Sequence, residues 1–476
     1  MTSVDPATIS GSPGKGSSAG ASVADICNLF WQVEARYDLA NLSIDGVYPW
    51  QLVRMNLYYK LTRRFGLFDF AHPGLKLRNN IEVDRKLKLK FHIRSLVLRG
   101  ASWRDHALGR KRAVVLGNGR RIAGIEPYTE ALLDEIANRS LLVEPDAELS
   151  AYPNAWDYRS LFKVFRDQKK HVKRPKFEHL DGLFKEVERF LNSESLAADN
   201  ALDVAGDVSR AVYYFNIDKA GFRSLFHKNK TEALYVLNAY SRPACVAAAK
   251  ELECRVIELQ HGFISRYHLG YSWPGSPQLA YAPDELWCFG PAWCEDMDLP
   301  AGVRTRSIGA PYIERYVENR GEKNDRLVVF TSQGVLGKRL LDIAIDVAMR
   351  RPDLEIVFRL HPNEILESYE AEMSHRSGVP ENFSISHRDP SIFDLLARAR
   401  FQVGSFSTTL IEGMAVGAIP IVLRMPGCEY MEDIVRAGDA LFAENAEEVS
   451  RLLSAPAGRE PDFRRYYAVP AEKLVL

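Results

Sequence analysis

The residues best suited to chemistry stand where apolar runs give way to glycine, proline or hydroxyl side chains. In Glu258-Leu259-Gln260-His261-Gly262 a histidine closes one such run. An imidazole, with a free pKa of ~6.5, can take a proton from an attacking hydroxyl near neutral pH. Gly262 lets backbone approach a ligand closely. Gln260, Gly262, Arg266 and Tyr267 are read with His261 as the side of a site that holds an acceptor, while Tyr271 and Trp273 either join them or pin the loop. In Phe358-Arg359-Leu360-His361-Pro362, Arg359 and His361 end a second run just before a helical pattern. That placement suits a phosphate, because free N–H groups and the helix dipole favour an anion there. Ser405, Ser407 and Thr408 end a third run and open another helix, with Glu412 one turn in, where it could reach ribose hydroxyls. These hydroxyls suit either a helix cap or a phosphate contact. Ser332, Gln333 and Gly334 end a fourth run with residues small enough to admit a nucleotide or to make a plain tight turn.

Each motif closes a short apolar run, and the runs alternate with helical patterns. Ala113–Leu116, Leu141–Glu144, Ala233–Leu237, Arg255–Leu259 and Leu286–Phe289 read as strands of one half. Leu327–Thr331, Glu355–Leu360, Ser384–Ser386, Phe401–Gly404 and Ile419–Leu423 read as strands of another. Strands alternating with helices imply parallel β-α-β units. The expected fold is therefore α/β, two Rossmann-like doubly wound domains facing a cleft, with an N-terminal helical region. The motifs line that cleft, since open α/β sheets bind ligands at their carboxyl ends.

The expected boundaries are a disordered tail at 1–23, a helical region at 24–107 packed on the first domain, and an acceptor domain at 108–301. A linker follows at 302–323, then a nucleotide-donor domain at 324–455 and a C-terminal tail at 456–476. The stripe Trp50, Val53, Leu57 and Leu61 has helical spacing. Gly11–Ser17 lacks the spacing of a phosphate-binding loop, and Ile122 breaks the dinucleotide fingerprint after Gly117 and Gly119. Arg120 and Arg121 there could still meet an anionic acceptor.

Among the 476 residues, 62 Lys and Arg balance 62 Asp and Glu, and 46% are hydrophobic. That balance excludes a uniformly basic nucleic-acid binder, and the hydrophobic share excludes a wholly disordered chain. No apolar run approaches the ~20 residues of a membrane helix. A cytoplasmic protein is expected, at most peripheral to the inner face of the membrane. Basic runs at Lys163–Lys176 and Arg85–Arg94 read as solvated faces, with contact to anionic lipid as the alternative. The six scattered cysteines read as reduced thiols, and no zinc site is expected.

The second, third and fourth motifs together resemble the C-terminal domain of GT-B glycosyltransferases. Arg359-x-His361-Pro362 resembles the His-Pro motif of bacterial sialyl and Kdo transferases of capsule synthesis. Ser405-x-Ser407-Thr408-Thr409-x-x-x-Glu412 resembles their Ser/Thr-rich donor loop and helical carboxylate. Gln260-His261-Gly262 is similar to loops of bacterial surface-polysaccharide proteins and, more distantly, of teichoic-acid polymerases. The acidic N-terminal motif of those sialyltransferases is missing, so His261 stands in as base. The resemblance implies metal-independent, cofactor-free transfer of a sugar from a nucleotide-sugar donor to a glycan or lipid-linked acceptor, with inversion. It gives Arg359, His361, Ser405, Ser407 and Thr408 the donor phosphate, and Glu412, Ser332, Gln333 and Gly334 the nucleotide and ribose. The alternatives are a nucleotide-sugar epimerase, a polyol-phosphate transferase, or a non-enzymatic partner of a polysaccharide assembly complex.

Overall fold

The computed structural model describes residues 21–69, 112–121, 125–146, 149–152, 155–167, 173–193, 202–318, 321–454 and 461–474. The basic residues Arg85, Lys86, Lys88, Lys90, Arg94, Lys169 and Lys170 lie outside them, as do 1–20 of the expected tail and 70–107 of the expected helical region.

The first sheet is built from β1 (Ala113–Leu116), β2 (Ser140–Glu144), β3 (Trp156–Asp157), β4 (Ala233–Leu237), β5 (Arg255–Leu259), β6 (Glu285–Cys288) and β7 (Arg304–Ser307). Its order is β3-β2-β1-β4-β5-β6-β7, and every pair is parallel. The central strands are apolar on both faces, as a sheet covered by helices on both sides must be. Val114, Leu234, Val236 and Val256 face the core shared with the Val204–Asn229 helix. Val115, Tyr235, Ile257 and Leu259 face the Glu130–Ile136 helix through Leu132, Leu133 and Ile136.

The second sheet contains β8 (Asn324–Thr331), β9 (Glu355–Arg359), β10 (Phe383–Ser386), β11 (Ala399–Gly404), β12 (Ile419–Leu423) and β13 (Leu441–Ala443). Its order is β10-β9-β8-β11-β12-β13, again all parallel. The chain thus has two doubly wound α/β units preceded by helices at Val23–Tyr37 and Pro49–Arg64, the architecture expected.

The expected linker and C-terminal tail carry structure of their own. The 302–323 segment is structured: Arg304–Ser307 is the edge strand of the first sheet and Pro311–Val317 is a helix. The C-terminal segment is not a loose tail either. It returns to the first unit, where the N–H groups of Ala468 and Ala471 donate to the carbonyls of Phe289 and Ile308, and Leu474 is buried beside Trp287. Cys288 and Cys294 lie beside each other, and Cys27, Cys245, Cys254 and Cys428 are buried thiols.

The N-terminal helices touch both units. Glu34 accepts from Trp50 Nε1 at 2.7 Å and pairs with Arg54 at 2.5 Å. The Arg54 guanidinium lies 3.6 Å over the Trp273 ring, so this buried pair anchors the loop that follows His261. On the other side Glu429 accepts from Val23 N, and Phe68 packs edge-on against Phe406 at 5.7 Å. Among the described residues no helix is long and apolar enough to cross a membrane.

Candidate functional site

In the second sheet β9, β8 and β11 are neighbours, so the loops after Arg359, Thr331 and Gly404 emerge side by side. Glu364 organises the first two. Its carboxylate, fully buried, accepts from Ser332 Oγ at 2.9 Å, from the His361 N–H at 2.5 Å and from Tyr369 OH. His361 Nδ1 accepts from the Asn363 N–H at 3.2 Å. That backbone donor assigns the proton of a neutral imidazole to Nε2. Burial, then the Arg120 charge, hold His361 down to about 4. At pH 7 it is a neutral Nε2–H donor, partly open to solvent.

Ser332 is therefore spent on Glu364, whereas Gln333 Oε1 is buried without a partner. Gly334 has φ +63°, a conformation that favours glycine at this turn.

Arg359 does not join His361. Strand alternation puts it on the Val357 side, where Nη1 donates to Ser386 Oγ (2.8 Å) and Pro390 O (2.6 Å) and Nη2 to Arg388 O (3.3 Å). Its donors hold the 386–390 loop. Ser405 is likewise buried, its hydroxyl directed at Pro426 O (3.4 Å). Ser407 caps the Thr408–Ala415 helix by accepting from Thr409 N at 3.2 Å, the bland reading of that motif. Thr408 hydrogen-bonds Glu412 one turn on, and Glu412 Oε1 also accepts from Tyr312 OH at 3.0 Å. Glu412 is buried and pushed above the usual carboxylate range by burial.

In the first sheet β1, β4 and β5 are neighbours and bring together the loops bearing Arg120, Arg242 and His261. Gln260 locks the His261 loop: its Nε2 donates to Gly262 O at 2.9 Å and its Oε1 accepts from Phe289 N at 2.7 Å. Both ends of that amide are used internally. Tyr267 is buried and stacks on Trp31 at 6.1 Å, turned towards the N-terminal helices, with exposed Arg266 5.4 Å over its ring. Tyr271 OH donates to buried Glu258 at 2.9 Å, so it pins the loop.

His261 is crowded by protein yet partly open to solvent, as a residue deep in a cleft is. Its Nδ1 is buried with no hydrogen-bond partner. Burial, then the charges of Arg120, His268 and Arg242, lower its pKa to about 3.

Arg120 links the halves: its charge acts on His261, on His361 and on Glu412. Arg120 is exposed, while its neighbour Arg121 is tied to buried Glu144 at 3.1 Å. Beneath the loop, Glu126 accepts from the N–H groups of Asn118, Gly119 and Arg120 at 3.0, 3.3 and 3.4 Å. Arg242 and Tyr312 carry no motif, so only tertiary structure reveals them.

No family model and no curated protein matches this chain. Among solved structures it is similar to the UDP-GlcNAc 2-epimerase of Methanocaldococcus jannaschii, at 12% identity and TM-score 0.41 over 73% of this chain and 94% of that one. It is also similar to Acinetobacter baumannii MurG, at 11% and 0.42 over 72% and 90%. A third is the spinosyn rhamnosyltransferase SpnG, at 14% and 0.41 over 75% and 90%. Likenesses of this size decide nothing about substrate or reaction, and the fold stands on the strand order of the two sheets themselves.

Proposed function

We propose that the protein is a GT-B glycosyltransferase, moving a sugar from a nucleotide donor to a glycan or lipid-linked acceptor of a bacterial surface polysaccharide, without a metal and with inversion. The observation that carries this reading is that His261 and His361, each at the carboxyl edge of its own parallel sheet, both lie under the charge of the exposed Arg120. The second unit takes the donor and the first the acceptor.

In this mechanism the acceptor oxygen attacks the anomeric carbon while the bond from that carbon to the phosphate oxygen breaks. The nucleotide leaves with the electron pair, and the hydroxyl proton passes to the His261 imidazole. His361 Nε2–H and Arg120 stabilise the charge growing on the phosphate, the contribution a preorganised donor makes in a site shielded from water. His261 is held low first by burial and then by the charges of Arg120, His268 and Arg242, and a bound anion offsets the guanidinium part of that shift.

The test is product analysis by mass spectrometry with sugar nucleotides, with and without acceptor glycan. Acceptor-dependent release of nucleotide, abolished in His261→Ala with nucleotide affinity retained, supports the reading. Epimerised donor formed without acceptor contradicts it.

A further inference from the structure

The strongest unassigned feature is a cationic corner on the first unit. Arg242 stands at the start of the Pro243–Lys250 helix, beyond the end of β4, between the loops that carry Arg120 and His261. Its Nη1 donates to the neutral Tyr158 hydroxyl at 2.5 Å, with the guanidinium 4.4 Å over that ring. Arg242 Nε is buried without a partner, as is His261 Nδ1. Among the described residues no carboxylate lies within ion-pair reach of Arg242 or Arg120, whereas Arg121, Arg54 and Arg166 each have one.

The nearby carboxyls do not fill the gap. Glu126 is spent on the 118–120 N–H groups and Glu258 on Tyr271, and burial pushes each up to about 7. Arg120 hydrogen-bonds Tyr128 and stands under the charges of Glu412 and Glu126, so the guanidinium that lacks an anion is Arg242, which leaves a positive potential beside the neutral His261 imidazole. Such a place favours charge-assisted hydrogen bonds to a planar or tetrahedral anion.

We propose that Arg242 and His261 form a second anion site, beside the donor phosphate site at His361 and Arg120, which takes a phosphate or carboxylate group of the acceptor. That the ligand is the acceptor rests on the transferase reading; that the site binds an anion does not. An anion seated here offsets the Arg242 charge next to His261, so an acidic acceptor raises the basicity of the group that deprotonates it.

The experiment uses inorganic phosphate as probe on the full chain, read as thermal stabilisation at matched ionic strength, with UDP binding measured in parallel. Wild type is expected to be stabilised, and Arg242→Gln to weaken the apparent phosphate affinity by about tenfold, the effect of losing one charge-assisted contact. Arg242→Lys, which keeps the charge, recovers part of it and guards against a folding defect. His361→Ala and saturating UDP leave the Arg242-dependent effect in place. An unchanged phosphate response in Arg242→Gln overturns the proposal. So does a response abolished by UDP or by His361→Ala, because the phosphate then sits in the donor site. Phosphate binding that depends on Arg242 with no UDP binding sinks the transferase reading and leaves the anion site standing.

Discussion

The carboxylate of Glu364 accepts the backbone N–H of His361 at 2.5 Å, three residues before it, while fully buried itself. One acid therefore fixes the turn that aims the imidazole and also gathers the Ser332 and Tyr369 hydroxyls. Glu364→Ala leaves three donors unpaired in the interior and is expected to cost about 3 kcal/mol, since each buried unsatisfied group costs about 1–3. Nucleotide affinity falls with it. Glu364→Gln, which keeps an acceptor oxygen, costs less. Denaturant titration alongside nucleotide binding checks both.

Gln260 makes the same point on the other sheet. Its amide bridges Gly262 O and Phe289 N, so Gln260→Leu keeps the volume but strands both groups. The expected loss is about 2 kcal/mol. If Gln260 instead served as an acceptor contact, stability would stay as in wild type and only turnover would fall.

Glu429 receives Val23 N at 2.9 Å across 406 positions, and Ser22 caps the same helix. Glu429→Gln removes an anion from a helix N-terminus and is expected to cost about 1 kcal/mol. Hydrogen exchange should speed up first at the amides of residues 23–26. Unchanged exchange there would show that this contact contributes nothing to docking the helix.

Stability should depend on pH in two opposed ways. Burial lowers His261 to about 3 and His361 and His268 to about 4, against an ordinary 6.5. Their contribution is fully present above 6.5 and is lost as pH falls towards 4 and below, because the unfolded imidazoles take up protons first. Glu126 and Glu258 are raised from 4.5 to about 7, and their contribution is present below 4.5 and lost as pH rises through 7. Denaturant midpoints from pH 4 to 8 check this. His261→Gln and His361→Gln flatten the acid side, and Glu126→Gln and Glu258→Gln flatten the rise towards neutral.

Much of the fold is legible in the sequence because β4, β5 and β12 are apolar runs buried on both faces and bounded by turn residues. The strands that escape reading lack that signature. Trp156–Asp157 has two residues, Leu441–Ala443 three, and Arg304–Ser307 is an edge strand with no apolar side chain. His261 and His361 could be found because each ends such a run before a glycine or proline. The role of Arg359 could not, since its partners Ser386, Arg388 and Pro390 come from across the sheet. Arg242 and Tyr312 escaped for the same reason: what matters about them is which strand ends lie side by side.

The central claim is that the cleft binds a nucleotide at His361. Thermal stabilisation by CMP, UDP, GDP, TDP and CDP tests it most directly. A ligand that binds only the folded state at a hundredfold excess over Kd stabilises it by about 2.7 kcal/mol. The expected result is a selective shift with one nucleotide, lost in His361→Ala. A shift with none of the five, or one that His361→Ala leaves intact, contradicts the account.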